Sequence, residues 1–189
     1  LGATTKAIAM GAGDDTVKYG GALGTGGSVD AGAGKDIISM SAAQASGITD
    51  NKFNTTFSNF EVLEIDTALA IATIDTRKIN NVSQVTVAAG LTTNSTINNL
   101  VDGGTVKFTA DQAGNLNVNI FEAYASTANV LNLELSAAAA VRAAGTVTAA
   151  GAETININSD DTVANPAGAT IHTLTLTAAD ATSVVVTGD

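Results

Sequence analysis

Two short stretches carry residue types at a spacing that suits cation chemistry. MGAGDDTVK at Met10–Lys18 and AGAGKDIIS at Ala31–Ser39 share the order Gly-x-Gly-x-Asp-x-aliphatic. Gly11, Gly13, Gly32 and Gly34 can take positive φ, so the backbone curls tightly and turns carbonyl oxygens to one side. Asp15 and Asp36 add charged oxygens beside those carbonyls, and Asp14 and Asp30 flank the same two turns. Calcium takes about 6 to 8 oxygen ligands at about 2.3–2.6 Å, more than one turn supplies. Asp15 and Asp36 stand 21 positions apart, close to two nine-residue half-coils with a small insertion. This places them on adjacent turns facing one ion. A plain pair of glycine-rich hairpin turns is the alternative use of the same residues. A phosphate-binding loop fits poorly: Gly34-Lys35 is followed by Asp36 rather than Ser or Thr, and neither stretch opens a helical pattern.

The elements that must hold these turns are set by the flanking residues. Val17 and Ile38 point inward from the strand leaving each turn, as in a parallel β-roll. Two repeats do not bury a core by themselves, since a solenoid needs about 3 or more, so residues 1–40 must lean on the chain beyond them. Ser39–Thr56 is polar and irregular, with a short helical turn expected over Ser41–Ser46. Beyond it, FSNFEVLEI at Phe57–Ile65 and a series of β-branched runs with polar alternation predict strands. The runs are Ala70–Ile74, Val82–Val87, Thr105–Thr109, Leu116–Phe121, Val130–Leu135, Thr146–Thr148, Thr154–Asn158, Thr170–Thr177 and Ser183–Thr187. Residues 41–189 are thus expected to be a β-rich repeat region, stacked or sandwiched, and the whole fold class is all-β. Phe60–Asp66, Val130–Leu135 and Ala152–Ile157 are loose relatives, two of them with a glutamate just ahead of the strand. Units of that kind cover one another's exposed faces. Ala137–Ala144 alone has helix propensity, and a tight alanine-packed loop is the alternative there.

Further carboxylates fall at strand ends. Asp160 and Asp161 come after TININ, and Asp66, Asp180 and Asp189 sit at comparable places. Such aspartates usually bond the local backbone, yet in an acidic chain Asp160 and Asp161 are also candidate cation ligands. Catalysis has little to draw on. The chain has one histidine, His172, no cysteine and no tryptophan, which leaves no zinc cluster and no thiol chemistry. Glu61 with Glu64, or Glu153 with Asp160, lacks the aromatic cleft that usually accompanies a glycosidase pair. No enzyme is expected.

Composition narrows the partners. Eighteen acidic residues against eight basic give a formal net charge of −10, which repels nucleic acid and anionic membranes and attracts divalent cations. Charged residues are only 14% and aromatic residues 4% of the chain, while 45% are hydrophobic, a mixture suited to repetitive β packing rather than disorder. No apolar run approaches the roughly 18 residues of a membrane span, and no signal-peptide pattern opens the chain. Leu1 and Asp189 read as the ends of a piece cut from a longer chain.

The two turns resemble the nonapeptide of repeat-in-toxin (RTX) proteins, Gly-Gly-x-Gly-x-Asp-x-aliphatic-x. The first glycine is replaced by Met10 and Ala31, and the half-coil around Gly20–Gly24 has no aspartate. With SNFEVLEIDT, AGAETININSDDT and TIHTLTLTAADATSVVVTGD, the chain resembles the lattice-forming part of RTX-type surface-layer (S-layer) proteins of Gram-negative bacteria. The resemblance implies calcium-dependent folding, export by a type I system and self-assembly into a lattice at the cell surface. It also implies contact with lipopolysaccharide or other outer-surface glycan through other parts of a parent chain. A module of a large RTX adhesin and the repeat domain of a secreted RTX hydrolase are the alternatives.

Overall fold

A computed structural model describes residues 1–137, 142–161 and 172–188. The chain winds as a parallel β-solenoid. Its first half contributes β1 (Ala7–Ala9), β2 (Thr16–Lys18), β3 (Ser28–Asp30), β4 (Ile37–Met40), helix α1 (Ala42–Gly47), β5 (Phe57–Ser58), β6 (Val62–Ile65), β7 (Thr73–Asp75) and β8 (Gln84–Val87). The second half contributes β9 (Ser95–Leu100), β10 (Thr105–Phe108), β11 (Asn115–Ile120), β12 (Val130–Ala137), β13 (Ala143–Ala150), β14 (Thr154–Asp161), β15 (Thr173–Thr177) and β16 (Ser183–Gly188). The even-numbered strands form one eight-stranded sheet running from β2 to β16 in chain order. The odd strands form two walls, β1-β3-β5 and β7-β9-β11-β13-β15. The all-β expectation therefore resolves into stacking, and β4 of the glycine turns pairs directly with β6 of the repeat region.

The register explains why the sequence folds this way. Ile37 lies over Thr16, Val62 over Ile37, Gln84 over Val62 and Thr105 over Gln84, steps of 21, 25, 22 and 21 residues. Because side chains alternate between faces, those steps put Val17, Ile38, Leu63, Val85, Val106 and Leu133 in one inward column. All six are buried. A second column runs through Met40, Ile65, Val87, Phe108 and Leu135, and Ile74, Ile97, Val118 and Ala149 close the core from the opposite wall. Outward positions carry polar ladders, such as the Asn156 amide donating to Asn132 Oδ1 at 2.9 Å.

Differences from the sequence-based expectations have local causes. Asn59 takes φ +59 and splits Phe57–Ile65 into β5 and β6. α1 forms where the helical turn was expected; Ser41 and Gln44 make a reciprocal capping box. β9, STINNL, has no clean alternation in its sequence because its pairing with β11 shifts between Val118 and Ile120. That bulge breaks the period of two. The alanine run is no helix where it is described: Ala137 ends β12 and Ala143 and Ala144 open β13. Residues 138–141 of it lie outside the described residues. No helix among the described residues is long and apolar enough to cross a membrane.

Candidate metal centre

The two glycine turns stack directly, one coil above the other. Ala12 and Ala33 form an isolated parallel bridge, with the Ala33 N–H donating to Gly11 O at 2.9 Å and the Gly13 N–H to Ala33 O at 2.8 Å. All four motif glycines have positive φ, from +101 to +153. Asp15 and Asp36 occupy equivalent places just ahead of β2 and β4, and are joined: Asp36 Oδ1 accepts from the Asp15 N–H at 2.7 Å. Glu61 extends the column one coil further, its Oε2 accepting from the Asp36 N–H at 2.9 Å. The Asp36 carbonyl accepts from both the Glu61 and Val62 N–H groups.

This corner geometry recurs without glycine. Glu153 Oε2 accepts from the Asn129 N–H at 2.7 Å, and Asn129 O accepts from the N–H groups of Glu153 and Thr154. Asp14 caps Lys35, Asp102 caps Val130, Asp111 caps Ala143 and Asp180 caps Gly151, each carboxylate taking a backbone N–H from an adjacent coil. Much of the acidic excess thus serves to satisfy donors where the chain turns a corner. The sequence signal was present in the glutamates ahead of strands, but their partners lie 24 and 25 residues away, and those of Asp102, Asp111 and Asp180 lie 28 to 32 residues away.

Asp36 departs from the other caps. Its side chain is fully buried, at 0% exposure, and its second oxygen, Oδ2, is buried with no hydrogen-bond partner. A carboxylate so enclosed is costly unless a cation or donor meets it. The remaining candidates are dispersed. Asp14 and Asp30 are exposed, and Asp30 Oδ1 accepts from the Asn59 amide at 2.7 Å. Asp160 is exposed at the far end of β14, opposite Ser136, and the Asp161 side chain and Asp189 lie outside the described residues. The fold brings neither Asp160 nor Asp161 to the glycine turns. Among the described residues no three acidic or histidine side chains converge as a ready-made metal cluster.

Other titratable groups are spent on structure. Asp66 pairs with Lys18 at 2.8 Å, a contact that holds the Lys18 ammonium above its ordinary pKa. His172 Nδ1 lies 3.1 Å from Ser159 Oγ, a neighbour the sequence did not reveal. Its Nε2 is buried without a partner among the described residues. No protein-family profile matches the chain, and no curated protein matches it either.

Proposed function

We propose that this chain is a structural, non-catalytic solenoid module of an exported surface-layer protein, completed by calcium at its first two glycine turns. One observation carries the reading: the buried, unpartnered Oδ2 of Asp36, set in a column of Asp15, Asp36 and Glu61 directly after the glycine turns. Asp36, Asp15 and the backbone oxygens of Gly11, Gly13, Gly32 and Gly34 would hold the ion, which supplies the positive charge that the buried carboxylate lacks. The capping carboxylates elsewhere already have backbone partners and do not call for a metal.

The physics suits a secreted assembly. Where calcium is scarce, the corner carboxylates repel and folding is weakened, which favours export of a loose chain. Outside the cell, an ion that binds only the folded state stabilises it by about 2.7 kcal/mol at 100 times its dissociation constant. Neutralisation of acidic edges then lets copies approach one another in a lattice at the extracellular surface.

Thermal melts followed by circular dichroism, in EGTA and then in calcium up to about 10 mM, a range covering extracellular calcium modules, test the reading. The transition is expected to rise with calcium and not with magnesium. Asp36→Asn keeps an oxygen for the Asp15 N–H but removes the buried charge, so it should melt at or above the parent chain in EGTA and lose the calcium response. Identical melts of the parent chain with and without calcium would leave Asp36 as a cap and nothing more.

A further inference from the structure

The cations of this acidic chain are distributed unevenly. Three are paired, Lys18 with Asp66, Lys107 with Glu134 and Arg142 with Asp111. Arg77 and Lys78, the one adjacent basic pair in the sequence, form no ion pair with any described residue. Both line the same groove of about 560 Å³. Its wall also carries Asn51, Asn54, Asn81 and Phe121 and contains no carboxylate, in a chain of net charge −10.

Local structure holds the two charges in place. They close a 3-10 turn at Thr76–Lys78 that begins with the Asp75 carboxylate accepting from the Arg77 N–H at 3.1 Å. From the neighbouring coil, the Asn54 amide donates to Arg77 O at 2.8 Å and its carbonyl accepts from the Asn80 N–H at 2.8 Å. Asn54 is therefore spent on fixing the turn. The Arg77 guanidinium carbon lies over the Phe121 ring, 4.1 Å from its centroid, a cation–π contact that leaves N–H groups for a ligand. Lys78 Nζ donates to Asn51 Oδ1 at 3.0 Å, so the Asn51 amide N–H₂ is free to donate elsewhere. Asn81, with φ +52, is exposed at the rim.

We infer that this groove binds an anionic saccharide, with Arg77 and Lys78 taking its phosphate or carboxylate and Asn51 and Asn81 taking hydroxyl groups. Planar guanidinium recognises such oxyanions in bidentate fashion. The groove is far larger than one oxyanion and is walled by amides, which pair with hydroxyls through both donor and acceptor. The site is separate from the glycine turns and takes no calcium as a ligand.

The test is a titration of the whole chain followed by two-dimensional NMR, in a buffer where circular dichroism shows the chain folded, with glucose 6-phosphate, glucuronate, inorganic phosphate and glucose as probes. Saturable shifts confined to Asn51, Arg77, Lys78, Asn81 and Phe121 are expected with the first two probes, weaker ones with inorganic phosphate and none with glucose. Lys78→Gln should weaken binding at least about tenfold, as loss of a charged hydrogen-bond partner does. Arg77→Lys, which keeps the charge but not the plane, should weaken it as well, while Lys35→Gln should not. Equal affinity for inorganic phosphate and the sugar phosphate would overturn the saccharide reading. Shifts spread over every lysine would overturn the site. Self-association lost in Lys78→Gln, without any response to the probes, would assign the groove to carboxylates of a second copy and overturn the inference.

Discussion

A methyl group built on Gly32 would lie 1.9 Å from the Gly11 carbonyl oxygen, and one on Gly34 would lie 2.3 Å from that of Gly13. The same methyl on Gly11 or Gly13 meets nothing within 4 Å. The two copies of one motif therefore have different duties. All four glycines need positive φ, but the second pair must also let the first coil rest on it. Gly32→Ala is expected to cost about 3 kcal/mol or more, through backbone displacement added to conformational strain. Gly13→Ala carries the strain alone, about 1–2 kcal/mol. Urea denaturation of the two variants measures the difference, and equal midpoints would contradict the direct stacking of the turns. At this scale the sequence was half legible. It marked the glycines and Asp15 and Asp36 as a unit, because spacing within a turn is local. It did not reveal which copy bears the packing or that acids such as Asp102 and Asp111 cap N–H groups a coil away. That pairing depends on a pitch that varies from coil to coil.

Elements report how the stack is closed on its aromatic side. Tyr19 comes directly after β2 and meets Phe53 and Phe57 edge-on at 5.5 and 5.4 Å, while those two rings stack at 4.7 Å. The Tyr19 carbonyl accepts from the Gln44 amide of α1, so this corner ties the helix to the first full coil. Burial raises the Tyr19 phenol above its ordinary value of 10.0, because the charged phenolate is disfavoured there. A folded-state value above the unfolded one means that the folded state holds the proton more tightly. Its contribution to stability is complete below about pH 10 and is lost as pH rises through the folded value. The prediction is an alkaline phenolate titration in which Tyr19 ionises above the ordinary phenol range. Tyr19→Phe should remove that late step; its persistence would place the burial elsewhere. Strands with regular alternation, such as β10, β12 and β14, were readable from sequence for the same reason that they stack well. β9 was not, since Asn98 and Asn99 interrupt the inward series Ser95, Ile97 and Leu100 at the bulge.

On the scale of the whole molecule, one sheet of eight strands ends in an edge unlike the rest of its core. Val184 lies over Ile155 and Val186 over Ile157, so both continue the inward columns of the coils below. Yet Val184 is 50% and Val186 67% exposed, and β16 pairs only with β14 among the described residues. An edge that offers backbone donors and acceptors beside uncovered valines templates the addition of another strand. In the 189-residue chain taken alone this edge is where a second copy finds apolar contact, the place that a further coil takes in a longer chain. Replacing Val184 and Val186 together by lysine should leave the fold intact, since neither side chain is enclosed, and should cost about 1–2 kcal/mol at most in the monomer. Sedimentation velocity over a range of concentrations, in calcium, is expected to show association of the parent chain weakened about tenfold or more by the double replacement. Unchanged association would move the contact to another face. A parent chain that stays monomeric at every concentration would overturn self-association through this edge.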